Sequence, residues 1–187
     1  MATRSSESLL RYAIGRSRKS ASSRPSIAMN HSGTVLTSRS AEEVFDLVAD
    51  PQRFAPLLPD FESLSVQDAT HFTMRIVITL GQLSGHVNLA MELREAVRSE
   101  RVEYWGNGIV AGSQLTFAMQ FQIAPSETAT HVSWQGEVSV EGMLALMAGG
   151  KIDELSRRNF DAMAERLQTR LGEGIANGES VDHGPVL

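Results

Sequence analysis

From residue 72 onward the chain alternates apolar and polar positions over long stretches, the mark of strands that bury one face. One parity reads Phe72, Met74, Ile76, Ile78 and Leu80, then Val87, Leu89, Met91 and Leu93, then Val102, Tyr104, Gly106 and Gly108. It continues through Leu115, Phe117, Met119, Phe121 and Ile123 and ends with Val132, Trp134, Gly136, Val138 and Val140. The other parity carries Arg75, His86, Glu92, Arg94, Gln120, His131 and Glu137. An antiparallel sheet with one wet side follows. Counting back from the turns pairs Thr79 with His86, Leu93 with Val102, Met91 with Tyr104, Tyr104 with Met119, and Phe121 with Trp134. Parity is expected to hold throughout, because a one-residue slip would turn a whole strand inside out.

Ahead of these strands, "TVLTSR" at 34–39 predicts a strand. Ser40 and Glu43 form a capping box that opens a helix, "AEEVFDLVAD". Pro51 starts a second short helix, "PQRFAPLL", which Pro59 closes, and a short strand follows at 62–67. Near the end, Ile152, Leu155, Phe160, Met163, Leu167 and Leu171 form one stripe of a helix over 151–171. That helix must cover the apolar face, which makes the fold α+β.

Between the last strand and this helix stands "GMLALMAGG", residues 142–150. Connections are normally polar. Two readings stay open for this one: an apolar loop acting as a gate at a cavity mouth, or the first turn of the helix tucked into the core.

The ends differ from the body. Residues 1–32 are rich in Ser and Arg and are expected to form a disordered basic arm; residues 33–171 form the domain, and 172–187 a polar, disordered tail. A targeting segment, or a translation start at Met29, also fits residues 1–28. Six basic residues against Glu7 make the arm basic, whereas the whole 187-residue chain carries −5. An acidic body is a poor nucleic-acid binder, so no nucleic acid is expected as a partner. With no cysteine there is no disulfide and no thiolate chemistry. No apolar stretch approaches the length of a membrane span, and a cytoplasmic location is expected.

The inner face is poor in groups that do acid–base or nucleophilic work. It offers the Tyr104 hydroxyl and the Trp134 indole, while His71, His86 and His131 point outward. Asn107, Arg157 and Asn159 could reach a cavity from loops or the helix. No spacing of His, Asp or Glu resembles a metal site. What the face does offer is room. Gly106, Gly108 and Gly136 lack side chains at interior strand positions. Six of the eight methionines, Met74, Met91, Met119, Met143, Met147 and Met163, fall on this side or at the junction, and methionine adapts to varied apolar partners. An apolar-ligand cavity and a filled core both fit this pattern. For the cavity, the binding candidates are Phe54 and Leu58 from the second helix, Met74, Leu89, Met91, Tyr104, Gly106, Gly108, Phe117, Met119, Trp134 and Gly136 from the sheet, Met143 and Met147 from the junction, and Leu155, Phe160 and Met163 from the last helix.

Four stretches, "AEEVFDLVADPQRFAPLLPD", "LGQLSGHVNLAMEL", "GNGIVAGSQLTFAM" and "VSWQGEVSVEGMLALMAGGKI", resemble in order and spacing the START-like (SRPBCC) superfamily, and within it the carbon monoxide dehydrogenase CoxG family. They cover most of residues 33–168. The first also resembles coenzyme-Q-binding START-like proteins. The resemblance implies a helix-grip fold: a seven-stranded antiparallel sheet curved around a long C-terminal helix, with two short helices after the first strand and an apolar cavity between sheet and helix. It further implies a non-enzymatic accessory of a molybdenum-hydroxylase-type redox enzyme complex that holds an isoprenoid quinone or lipid and no other cofactor. Peripheral contact with the inner membrane face would run through the basic arm. A polyketide cyclase-like enzyme and a pure assembly factor are the alternatives. One departure concerns a turn: Pro59-Asp60 stands where the family has Pro-Gly.

Overall fold

The computed structural model describes residues 24–172; the arm, targeting and tail readings for residues 1–23 and 173–187 fall outside them. The element order is β1 (Ser26–Thr37), α1 (Ala41–Val48), α2 (Pro51–Phe54) with a 3-10 turn at Ala55–Leu57, β2 (Phe61–Val66), β3 (His71–Leu80), β4 (Leu83–Val97), β5 (Arg101–Val110), β6 (Ser113–Pro125), β7 (Thr130–Glu141) and α3 (Met143–Gly172). The strands form one antiparallel sheet in the order β1-β7-β6-β5-β4-β3-β2. α3 packs on β1, β7 and β6 and also reaches β3, so the sheet curls around it. This is the helix-grip architecture.

The parity pattern holds in the core. The inner-face positions named above, from Phe72 to Val140, are buried or half-buried, and Tyr104–Met119 and Phe121–Trp134 pair as expected. Ala111 and Gly112 both have positive φ, which suits a tight hairpin turn. Two registers are displaced by two residues: His86 faces Val77, and Leu93 faces Tyr104 while Met91 faces Gly106. In the second the hairpin turns later than expected, with Val97 facing Arg101, and the irregularity between Leu93 and Glu95 takes back one residue. An inserted residue at such a bulge shifts the ladder and breaks parity locally, contrary to the expectation of unbroken alternation.

β1 begins at Ser26, well before 34, and takes in residues expected in the arm. Met29, His31, Gly33 and Val35 face inward, opposite Val138, Gly136, Trp134 and Val132. The capping box of α1 is present, with Glu43 N donating to Ser40 Oγ at 3.2 Å and Ser40 N to Glu43 Oε2 at 2.9 Å. Asp50 caps α2. At the turn into β2, Asp60 adopts φ 58° and its carbonyl accepts from Val77 N at 2.9 Å. The turn thus keeps the left-handed backbone that a glycine would take there.

α3 is held most firmly toward its C-terminus. Met163, Leu167 and Leu171 are fully buried. The Leu171 carbonyl accepts from Thr37 Oγ1 and Arg39 Nε, both at 3.2 Å. Arg166 Nη1 donates to the Leu58 carbonyl at 2.9 Å.

Candidate functional site

The inner face divides into two packed aromatic groups. Under α1 and α2, Phe54 stacks on Tyr104 with centroids 4.4 Å apart, and Phe72 and Phe121 meet this pair edge-on. Tyr104 is fully buried and donates its hydroxyl to the Val48 carbonyl at 2.9 Å. Burial, with the charge of Asp50 adding, pushes its ionisation far above the ordinary phenol range. Tyr104 therefore serves the fold: it satisfies a carbonyl that the end of α1 leaves without a helical partner. It is not a cavity group. Under α3, Phe160 stacks with His31 at 5.0 Å, Trp134 at 5.8 Å and Phe117 at 6.2 Å. Trp134 Nε1 is buried with no hydrogen-bond partner.

The glycines are not holes. A side chain on Gly136 would overlap the Phe160 ring, and one on Gly106 would overlap the Met91 sulfur. At Gly108 an added Cβ would sit 2.6 Å from the Asn88 carbonyl oxygen and 2.9 Å from Leu89 Cδ2. Each glycine lets a neighbour close over it, which corrects the expectation that they leave open space.

A cavity of about 110 Å³ lies beside these glycines, toward the N-terminal half of α3. Leu58 and Pro59 wall it on one side, with Met74, Ile76, Ile78 and Leu80 of β3 and Leu89 of β4. Val110, Leu115, Phe117, Val138 and Val140 form its floor, and Leu144, Ile152, Leu155, Ser156, Asn159 and Phe160 its roof. Of the sequence candidates, Leu58, Met74, Leu89, Phe117, Leu155 and Phe160 come together here. Phe54, Met91, Tyr104, Gly106, Met119, Trp134, Gly136 and Met163 are packed core, and Gly108 lies outside the wall. Ile76, Ile78, Leu80, Val138 and Val140 line the cavity without having been candidates, although all five belong to the inner parity. The missing signal is the line along which α3 crosses the sheet.

The junction is helical rather than a loop. α3 starts at Met143 and kinks at Ala148, where φ is −134° and ψ 16°. Leu144 N donates to Ser113 Oγ at 3.0 Å, and the Leu144 side chain enters the cavity. Met143, Leu146 and Met147 instead stand 64%, 66% and 78% exposed. This turn and the β3–β4 and β5–β6 hairpin turns stand at one end of the sheet, where Leu80, Val110 and Leu144 line the cavity. Of the two sequence readings, the structure shows the helical first turn, with Leu144 tucked into the core.

His31 also escapes the sequence pattern as read from residue 34. It faces inward from β1, with its Nε2 3.0 Å from Ser156 Oγ. The Met29-His31-Gly33-Val35 alternation, followed upstream, is the signal that finds it. Asn107 lies on the outward parity and Arg157 is exposed, so of the three polar candidates Asn159 alone reaches the cavity wall. His71, His86 and His131 are exposed as expected. Among the described residues there is no cluster of three or more His, Asp or Glu arranged for a metal, and no helix long and apolar enough to cross a membrane.

The family profile for CoxG, the G component of carbon monoxide dehydrogenase, matches residues 33–172. No curated protein matches the chain. Solved structures share the fold. A conserved protein from Geobacillus kaustophilus has TM-score 0.66 and 14% identity, over 78% of this chain and 96% of its own. The Zhui aromatase/cyclase from Streptomyces sp. R1128 has TM-score 0.61 and 14% identity, over 82% and 100%. A START superfamily protein from Mycobacterium smegmatis has TM-score 0.54 and 16% identity, over 77% and 97%.

Proposed function

The chain belongs to the carbon monoxide dehydrogenase CoxG family, and from that premise we propose that it is a non-enzymatic carrier of an apolar small molecule, serving a molybdenum-hydroxylase-type redox enzyme. The observation that carries this reading is the cavity wall itself: sixteen of its eighteen residues are apolar, and none is acidic or basic. A site of this kind binds by burying hydrocarbon. An apolar cavity of roughly 150 Å³ holds one benzene-sized ring; at about 110 Å³ this one takes a ring only as the kinked first turn of α3 gives way. An isoprenoid quinone or a lipid would then lie with its remainder over the exposed methionines.

Val138 is half-buried on the cavity floor, opposite Phe117. Val138→Phe fills the space beside Phe117. Titration with a short-chain quinone should show saturable binding to the wild type and at least a tenfold loss in the variant, with little change in Tm. Equal binding by both proteins would place the ligand elsewhere and refute the reading.

The cyclase-like alternative has one observation in its favour, the Ser156–His31 contact at the cavity. It no longer includes Tyr104.

A further inference from the structure

Two polar side chains interrupt the apolar wall, Ser156 and Asn159. They stand three residues apart on α3, hence on one face of the helix. Ser156 is buried, and its Oγ lies 3.0 Å from His31 Nε2. Asn159 is half-buried, and its amide makes no hydrogen bond with another described residue but stays accessible, open to a ligand or water. A leucine there would have cost nothing in a cavity meant for hydrocarbon alone.

Ser156, Asn159 and Phe160 lie further along α3 than Leu144 and Ile152. Beside them Phe160 closes over Gly136.

We propose that Ser156 and Asn159, with His31 behind the serine, form the head-group end of the ligand site. They take an oxygen carried on a ring, and the ligand enters head first with its apolar chain toward the exposed methionines. This inference rests on the carrier reading and adds the ligand's polar chemistry and orientation to it. The pair works in both hydrogen-bond senses. When the His31 Nε2–H donates to Ser156 Oγ, the serine proton is free to point into the cavity. When Ser156 donates to His31, its oxygen keeps a lone pair for a donor. The Asn159 amide both donates and accepts. A carbonyl oxygen and a hydroxyl are thus received alike, so a quinone and its hydroquinone fit the same end.

The test uses three probes on the full chain: a decyl-substituted benzoquinone, its hydroquinone held under anaerobic reductant, and decylbenzene. Calorimetry gives affinities for the wild type, Ser156→Ala and Asn159→Leu. The wild type should bind both oxygen-bearing probes within about threefold of one another, and both more tightly than decylbenzene. Each variant should weaken them by roughly 3- to 10-fold, the range of one net hydrogen bond, and leave decylbenzene unchanged. Retained decylbenzene binding also shows that the variants are folded. For orientation, Trp105→Phe leaves Trp134, which stacks on Phe160, as the only tryptophan. A head-in quinone ring should quench its fluorescence. Variants that weaken all three probes equally or none of them, or a saturated quinone complex with unquenched Trp134, would overturn the head-group assignment while leaving the carrier standing. Failure of all three probes to bind the wild type would bring down both.

Discussion

Tyr104 shows how a polar residue on an apolar face can mislead. In the sequence it is the one hydroxyl-bearing aromatic on the inner parity; in the structure its hydroxyl is bonded to Val48. Tyr104→Phe should lower stability by about 1–2 kcal/mol, the cost of leaving a buried carbonyl unpaired, and leave quinone affinity unchanged. Thermal unfolding and titration of the same sample check both halves. Gly136 carries the opposite lesson. Which side chain fills the space over a glycine is a long-range fact, here supplied by Phe160, so the sequence could not distinguish a hole from a close contact. Gly136→Val should destabilise by about 2–3 kcal/mol through overpacking. A denaturant midpoint unchanged from wild type would contradict that. Asp60 holds a positive φ. Asp60→Gly should therefore keep the fold and raise stability by up to about 1 kcal/mol.

At the scale of elements, strand parity was legible because a face must be wholly buried or wholly wet, and a slip of one residue is prohibited. Displacements of two residues keep parity, so nothing in the hydrophobic pattern forbids them; hence the β3–β4 and β4–β5 registers differ from the expected ones by two residues. His31 is hidden for a related reason: a Ser/Arg-rich neighbourhood suggests an arm, although the alternation runs on through it. α3 holds the functional question. Its C-terminal half is tied to β1 and to the turn after α2, whereas its N-terminal half kinks at Ala148. On the carrier reading, the ligand enters beside this kink. Gly150 has open space where a Cβ would stand. Gly150→Ala should stabilise the helix by about 0.5–1 kcal/mol and slow ligand entry, as read by Tm and stopped-flow association. Unchanged association in a stabilised variant would argue that entry does not use the kink.

For the whole molecule, the architecture was readable because two periodicities, two and 3.6, require a one-faced sheet and a helix to cover it. The path of that helix was not. It decides that half the inner face is packed around Tyr104 and Phe160 while a cavity remains toward Leu144, and it moves the site away from most of the residues that looked permissive in sequence. The central claim is that this cavity carries a ligand. The most direct measurement is mass spectrometry of an organic extract from wild-type protein and Val138→Phe, both purified without detergent. The account predicts a near-stoichiometric apolar molecule with a ring-borne oxygen in the wild type and its loss from the variant. An empty extract from folded wild-type protein, or equal cargo in both, would contradict it.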